Sequence, residues 1–211
     1  MKIDFVSDVA CPWCAVGLNA LEQALARIGD EIAIELHFQP FELNPDMPPE
    51  GAETEPYLAR KYGSSPEQQA RNRHGIVERG AAVGFSFGAR PHVWNTFDAH
   101  RLMHWAGLQG EGLQRRLKHA LLAAYHTRAE NPSALDVLER AASEVGLDPV
   151  AARDVLASGR YTDEVRAAER HWQQLGIQAV PSVVIDGRHL IQGGQPPEAF
   201  EQALRQIAAG G

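Results

Sequence analysis

The sequence has only two cysteines among its 211 residues, Cys11 and Cys14. A structural zinc site normally takes four protein ligands, so distant histidines would have to complete one, and we predict no metal site. Haem attachment requires histidine directly after the second cysteine, where this chain has Ala15. A short loop between two cysteines also constrains little of the unfolded chain. The pair is therefore predicted to be a reactive dithiol.

The sequence also lacks a basic run and any apolar stretch long enough to span a bilayer. Its 20 Lys and Arg against 27 Asp and Glu give a formal net charge of −7, which argues against a general nucleic-acid surface. A strand pattern begins with the first residues, without the apolar segment and cleavage site of a secretory signal. We therefore expect a cytoplasmic protein that binds neither nucleic acid nor membrane.

The composition is that of a folded enzyme rather than a disordered tail. With 44% hydrophobic and 22% charged residues the chain can bury a sizeable core. Its length allows one large domain or a small domain that carries an insertion. In a reducing cytoplasm, a cysteine pair of this spacing is more often catalytic than structural.

The segment Cys11-Pro12-Trp13-Cys14 follows a strand-like run, residues 3–9, and begins a helix-like stretch. A thiol at a helix N-terminus faces unpaired backbone N–H groups and the positive end of the helix dipole, which favour thiolate and lower the pKa. Pro12 suits the first helical position, and the three-residue spacing brings Cys14 beside Cys11. Cys11 is the predicted nucleophile, and the pair can close or open a disulfide.

The rest of the chain predicts a βαβ opening, a helical middle and a closing hairpin with one more helix. Apolar residues alternate from Ile32 to Phe38, as in a half-buried strand. Proline, glycine and acidic residues over 41–63 predict a connection without long regular structure. Residues 66–155 have helical composition, with predicted breaks at 88–91, 107–112, 131–133 and 146–149 and with predicted caps at Asn131 and Asp148.

A second informative segment extends from Gly176 to Gly187, after a predicted helix over 161–175. Its apolar run ends in Asp186-Gly187, which predicts a hairpin, and residues 196–207 predict an amphipathic helix. Pro181 begins the hairpin. Because most X-Pro bonds are trans, the residues alone predict an ordinary trans proline at the start of a strand.

Together the two segments resemble the DsbA-like thioredoxin-fold family, with the greatest similarity to its FrnE-type cytoplasmic branch. The resemblance extends over nearly the whole chain. It rests on residues 7–14 with Gly17, on Gly176 to Ser182, and on Gly193-Gly194-Gln195-Pro196 after the hairpin. Residues 94–101, Trp-Asn-Thr-Phe-Asp-Ala-His-Arg, resemble the helical-domain signature of that branch.

The resemblance implies an α/β thioredoxin-like fold, a central mixed sheet flanked by helices, with a large all-helical insertion. Residues 1–43 and 161–211 would form the thioredoxin-like domain and residues 44–160 the inserted helical domain. Cys11 would attack, Cys14 would resolve, and Pro12 and Trp13 would tune the thiolate and contact partners. Val180-Pro181 would be a cis-proline loop that faces the dithiol and leaves the Val180 backbone free to pair with an extended substrate.

One departure from the family pattern concerns the group that handles the proton of Cys14. Thioredoxins and DsbA place a buried carboxylate six residues before the first cysteine, where this chain has Phe5. Asp4 and Asp8 lie nearby, but neither stands six residues before Cys11, so the sequence assigns no residue to this role.

The predicted function is thiol–disulfide oxidoreductase, acting as reductase, oxidase or isomerase on a protein or a small molecule. No bound cofactor is expected beyond the redox-active disulfide, and glutathione is a candidate co-substrate. The rival is a glutathione-dependent transferase or isomerase of the kappa or hydroxychromene-carboxylate type, which typically has serine in place of Cys11. A third alternative is a binding protein whose helical lobe holds apolar peptides. Oligomeric state is left open.

Three other groups of residues have ordinary interpretations beside functional ones. His100 and His104 lie four apart on a predicted helix, but packing or surface roles are favoured over metal binding. Trp94, Phe97 and Trp105 would form either an apolar substrate wall or a plain helix core. The mixed charges around residues 67–79, including Arg71, Arg73 and Arg79, predict a solvated helix face without a function.

Overall fold

The computed structural model describes residues 1–110 and 112–210 of the chain. The strands are β1 (Lys2–Ser7), β2 (Glu35–Pro40), β3 (Ala52–Glu53), β4 (His92–Val93), β5 (Ser182–Ile185) and β6 (His189–Gln192). The helices are α1 (Pro12–Ile28), α2 (Thr54–Tyr62), α3 (Pro66–Ala82), α4 (Phe97–Gly107), α5 (Leu113–His126), α6 (Leu135–Glu144), α7 (Pro149–Ser158), α8 (Thr162–Gln174) and α9 (Pro197–Gly210).

A mixed sheet of order β2-β1-β5-β6 forms the centre of the fold. Strand β1 pairs parallel with β2 and antiparallel with β5, which pairs antiparallel with β6. Side chains of β1 alternate between two buried faces, so Phe5 packs in the main core while Val6 packs in a second cluster with Trp172 and Val184. This central strand is buried from Ile3 to Ser7, including Asp4, because helices cover both faces of the sheet.

The predicted second strand begins later than the apolar alternation indicated. Residues 29–31 form a short 3₁₀ turn, and β2 extends from Glu35 to Pro40. Ile32 and Ile34 still pack against the main core, although they precede the strand. The apolar alternation therefore predicted the packed side chains correctly but placed the start of the strand too early.

The predicted irregular connection over 41–63 contains a helix, which corrects the sequence prediction. Helix α2 begins at Thr54, so Pro56 lies in its first turn, where the N–H that proline lacks would have no intrahelical partner. Gly63, in a left-handed conformation, ends the helix. Strand β3 precedes this helix directly and pairs with β4 in a separate two-stranded sheet.

The helical middle of the chain agrees with the predicted breaks, although Glu111, within the break at 107–112, lies outside the described residues. Asp148 caps α7 as predicted, because its side chain accepts a 2.9 Å hydrogen bond from the Val150 N–H. Asn131 is not a helix cap. Its side chain instead accepts from the backbone and hydroxyl of Ser133, and α6 begins four residues later, at Leu135.

The closing elements match their predictions. Helix α8 is followed by Gly176 at φ +86°, and Asp186 and Gly187 both have positive φ in the β5–β6 turn. The four strands of the main sheet lie outside residues 44–160, and α2 to α7 lie within that range. The domain boundaries themselves stay a prediction. In the part of the chain that the structure describes, no helix is long and apolar enough to cross a membrane.

Candidate active site

Cys11 is the N-cap residue of α1, directly after the turn that follows β1. Its backbone is extended, with φ −89° and ψ 113°, and Pro12 occupies the first helical turn. The N–H of Cys14 donates to the Cys11 carbonyl at 3.1 Å. Cys11 and Cys14 are free cysteines 3.4 Å apart, and Cys14 is completely buried. Cys11 is also largely buried, at 4% exposed, but it lines an open cleft that Cys14 does not, so it is the cysteine on the side from which a substrate can approach.

The loop before β5 brings Val180 and Pro181 against the cysteines. The Val180–Pro181 peptide bond is cis, as the family resemblance implied. The Cys11 thiol donates to the Val180 carbonyl at 3.5 Å. A Cβ added to Gly17 would lie 2.9 Å from the Pro181 Cγ, so helix α1 and the proline ring are in close contact. The structure thus assembles Cys11, Cys14, Pro12, Trp13, Val180 and Pro181, whose roles stay predictions.

Asp8 is completely buried in the turn before Cys11, and its hydrogen bonds connect three parts of the chain. Its carboxylate accepts hydrogen bonds from the Ala10 N–H at 3.0 Å, the Leu43 N–H at 2.7 Å and the Thr96 hydroxyl at 2.7 Å. The His100 Nε2 lies 3.4 Å from the same group. Burial opposes ionisation of Asp8, but the contact with His100 and the backbone hydrogen bonds outweigh it and lower the pKa.

An open cleft of about 1160 Å³ extends from the cysteines to helices α2 and α3 and the segment 87–93. Cys11, Pro12, Trp13 and Val180 line one end. The rest of the lining contains apolar and aromatic side chains and charges of both signs: Tyr57, Tyr62, Ile76, Val77, Glu53, Glu55, Arg71, Arg73 and Arg90. Its volume exceeds that of a pocket for one drug-sized ligand, about 300–1,000 Å³, so it can admit a peptide-sized group.

Two side chains of α5, a helix in contact with α1, are buried. Burial lowers the pKa of His126 to about 3, so its imidazole is neutral and its Nε2 lies 2.8 Å from the Val9 carbonyl. Lys118 is only 1% exposed. Burial, followed by the Cys11 side chain, raises the pKa of Cys14 well above its usual value, and the positive charge of Lys118 acts in the opposite direction.

A second group of charges pairs two buried carboxylates, Glu42 and Glu169, with the half-buried Arg166. Glu42 and Glu169 both accept hydrogen bonds from Arg166, whose guanidinium lies 3.7 Å from the ring centroid of Phe97. Burial and the charge of Glu169 raise the pKa of Glu42 to about 7. Glu42 therefore changes charge near neutral pH.

Comparison with known proteins agrees with this geometry. Residues 2–205 match the model of the DSBA-like thioredoxin domain. The chain belongs to this family. A probable DsbA oxidoreductase from Streptomyces coelicolor superposes with a TM-score of 0.90 at 34% identity, over 99% of this chain and 90% of the other. Protein YwbO of Bacillus subtilis strain 168, uncharacterized, is 28% identical over 97% of this chain and 96% of its own.

A more distant member of the fold was solved with glutathione. Cytosolic disulfide reductase DsbM from Pseudomonas aeruginosa, in a structure with glutathione, has a TM-score of 0.68 at 16% identity, over 99% of this chain and all of that one. The DsbA-like thioredoxin fold is therefore confirmed, whereas assignment to the FrnE-type branch stays a prediction.

Several residues of this DSBA-like protein have positions that the sequence did not indicate. Arg79 is exposed, as predicted for a solvated face, and in addition its guanidinium lies 5.8 Å from the Trp13 ring centroid and donates to the Gly194 carbonyl at 2.6 Å. Arg90 donates to the Ala10 carbonyl at 3.2 Å. Lys118 carried a detectable signal, since it shares one helical stripe with Leu121, Leu122 and Tyr125.

The proposed aromatic substrate wall is wrong. Trp105 is buried in the main core, Phe97 contacts Arg166, and Trp94 stacks on His92. None of the three aromatic residues lines the cleft. The helix-core alternative therefore holds for Trp105. His100 packs against Asp8 and His104 against Tyr161, and the described residues contain no cluster of three or more metal-binding side chains.

Proposed function

We propose that this DSBA-like protein is a dithiol–disulfide oxidoreductase in which Cys11 attacks and Cys14 resolves. The observation that carries the proposal is the asymmetry of the pair: Cys11 caps α1 and lines the cleft, while Cys14 is completely buried 3.4 Å away. A helix N-terminus favours the thiolate of an attacking cysteine, and a buried second cysteine reacts only with a partner already joined to the first.

The reaction proceeds in two exchanges that balance. The Cys11 thiolate attacks one sulfur of a substrate disulfide, a mixed disulfide forms, and the other substrate sulfur leaves as a thiolate. The Cys14 thiolate then attacks Cys11 Sγ, an internal disulfide forms, and the second substrate sulfur leaves. The substrate gains two electrons and the enzyme loses two. The same steps in reverse oxidise a dithiol, and the reduction potential against the surroundings decides the direction.

The cleft supports an extended thiol peptide as substrate. Trp13, 36% exposed, and Val180 line the cleft with Cys11, whose thiol contacts the Val180 carbonyl, and Val180 precedes the sheet strand β5. Backbone groups beside a strand can pair with an extended chain, as in strand addition. Arg71 and Arg90 in the lining favour a substrate that carries carboxylates, whereas Arg73 lies 3.6 Å from Glu55.

Glutathione suits this cleft as a co-substrate, because it is a short thiol peptide with two carboxylates. The glutathione in the DsbM structure supports the same idea for this fold. We infer a cytoplasmic setting, where glutathione can return the internal disulfide to the dithiol. This co-substrate role differs from that of a glutathione transferase, which needs no second cysteine.

The proposal is tested with reduced wild-type protein, Cys14→Ser and Cys11→Ser, each mixed with oxidised glutathione, quenched with acid and analysed by mass. We expect the wild type to lose two hydrogens and keep no adduct. Cys14→Ser should retain one glutathione on Cys11, and Cys11→Ser should remain unmodified because Cys14 is buried. A wild type that stays glutathionylated would contradict resolution by Cys14 and favour the glutathione-dependent transferase or isomerase.

The binding-protein alternative gives a different pattern. A chaperone with a redox-sensing dithiol would keep its peptide binding in a Cys11→Ser, Cys14→Ser double variant. We expect the double variant to bind an unfolded peptide more weakly than the wild type, which holds its substrate through a mixed disulfide at Cys11, and unchanged peptide binding would favour the alternative.

A further inference from the structure

Arg79 is an exposed side chain of α3 that reaches the active site from the helical part of the chain. Its guanidinium donates to the Gly194 carbonyl at 2.6 Å and lies 5.8 Å from the centroid of the Trp13 ring. Helices α1 and α3 are in contact, and α3 also supplies Ile76 and Val77 to the lining of the cleft. Arg79 therefore joins the helix that forms part of the cleft to the segment that carries the cysteines.

The Gly194 carbonyl that Arg79 binds belongs to a turn that packs on both active-site segments. A Cβ added to Gly194 would lie 3.2 Å from the Trp13 carbonyl oxygen and 3.4 Å from the ring atom Cε3, so the backbone of this turn lies against Trp13. The N–H of the preceding residue, Gly193, donates to the Pro181 carbonyl at 2.8 Å. Arg79 thus binds the point at which α3, the cysteine segment and the cis-proline loop meet.

Trp13 is the side chain on which these contacts act. It stands between the two cysteines, is 36% exposed and lines the cleft. The first turn of α1 fixes its backbone, but an exposed ring still turns about its side-chain torsions, and the loss of that freedom opposes binding. A guanidinium near the ring and a backbone packed beside it limit the freedom before a substrate arrives. A substrate that packs on the ring then loses less free energy to ordering.

We propose that Arg79 is a positioning residue for substrate binding, which holds the Trp13 indole at the cleft as a fixed contact for the peptide part of a disulfide substrate. The inference rests on the proposed dithiol function and adds a residue that discriminates between substrates. A peptide disulfide has side chains and backbone that pack on Trp13 and on the apolar residues Ile76 and Val77 of the same cleft. Hydroxyethyl disulfide has little surface beyond its two sulfurs, so its reaction with Cys11 should depend much less on Arg79.

The test compares these two kinds of disulfide on the same reduced protein. The peptide is the disulfide of an acetylated and amidated Phe-Cys-Ala tripeptide, so both substrates are uncharged and the arginine cannot act by attracting a carboxylate. Each reaction is quenched with acid, and the loss of two hydrogens from the protein is followed by mass, which gives a rate constant for each disulfide. The variant is Arg79→Met, which keeps an unbranched stem without the guanidinium. The matched control is Arg170→Met, at an exposed position of α8.

We expect the ratio of the two rate constants, peptide over hydroxyethyl disulfide, to fall about two- to fivefold in Arg79→Met, the factor that a cation–π contact contributes at an exposed site. The fall should come from a higher half-saturating peptide concentration rather than from a lower maximal rate. Arg79→Lys, which keeps a cation beside the ring, should recover part of the ratio, and Arg170→Met should keep the wild-type ratio. A wild-type ratio in Arg79→Met, including one in which both rate constants fall together, overturns the assignment, as does an equal fall in Arg170→Met.

A spectroscopic measurement follows the ring itself. Protein labelled with fluorotryptophan gives a ¹⁹F resonance for each of its four tryptophans, and Trp13→Phe identifies the resonance of Trp13. We expect that resonance to move in Arg79→Met and to stay in place in Arg170→Met. A Trp13 resonance that does not move in Arg79→Met overturns the proposal. Failure of the dithiol function itself is distinguishable, because the wild type would then lose no hydrogens with either disulfide.

Discussion

Replacement of Gly17 by alanine tests how closely helix α1 and the Pro181 loop must fit. The added Cβ would lie 2.9 Å from Pro181 Cγ, 3.4 Å from Gly194 Cα and 3.5 Å from Pro181 Cβ. Carbon atoms in good contact are about 3.5–4.0 Å apart, so the proline ring must move by several tenths of an ångström or more. The ring is rigid, and Gly194 blocks a second direction through its backbone.

The expected cost follows from two opposing effects. Overpacking of a tight contact costs about 1–3 kcal/mol, while alanine in a helix gains about 0.5–1 kcal/mol over glycine. Gly17→Ala should therefore be destabilised by about 1–2 kcal/mol, which lowers Tm by about 2–8 °C for a chain of this size. Displacement of the loop should also weaken the 3.5 Å contact of Cys11 with the Val180 carbonyl.

Gly75→Ala is the matched control, because Gly75 lies inside α3 and an added Cβ there meets nothing within 4 Å. That variant should gain about 0.5–1 kcal/mol from helix propensity alone. Both are compared by urea unfolding and by the rate at which iodoacetamide modifies Cys11. If Gly17→Ala is as stable as Gly75→Ala and Cys11 reacts at the wild-type rate, the close packing of helix and loop is refuted.

Two further predictions concern buried carboxylates. Asp8→Asn places an amide against backbone N–H donors and should lower the free energy of unfolding in urea by about 2–4 kcal/mol. Thr96→Val removes only one hydrogen bond to Asp8 and should lower it by about 1 kcal/mol. Equal losses in the two variants would refute the central role of Asp8. The raised pKa of Glu42, about 7, means that the folded state holds the proton more tightly than the unfolded state. The protonated Glu42 side chain therefore contributes about 1–2 kcal/mol to the free energy of unfolding, after solvent screening. This contribution is complete below about pH 4.5 and is lost as pH rises through about 7. Glu42→Gln should flatten the stability profile between pH 5 and 8, and an unchanged slope would assign it to another group.

The site residues that could be predicted from sequence are those fixed by local chemistry. Cys11 and Cys14 begin a helix after a strand, and the Asp186-Gly187 turn marks the hairpin after Pro181. Both signals depend on residues close together in the chain, where backbone conformation and helix dipole decide the structure. Cis geometry at Pro181 followed only from the family resemblance.

The residues that escaped prediction act across long separations. Lys118 shares an apolar helical stripe, which indicates burial, but lysine on a helix is ordinarily a surface residue, so the residue type favoured exposure. Arg79 meets Trp13 only because α3 packs against α1. The helix at Thr54–Tyr62 was missed because proline was treated as a helix breaker, although Pro56 falls in the first turn. The substrate wall predicted from the aromatic residues at 94–105 was wrong because apolar side chains alone do not indicate which side of a helix faces an open cleft.

The central claim, a cooperative redox couple between Cys11 and Cys14, is tested most directly by equilibrium titration in glutathione buffers with acid-trapped thiols counted by mass. The account predicts one reversible two-electron transition to an internal disulfide, within about −270 to −120 mV, the range of related dithiols. A low value would indicate a reductase, and a high value an oxidase or isomerase. Absence of the internal disulfide at every buffer ratio, with one glutathione per chain instead, would contradict the account.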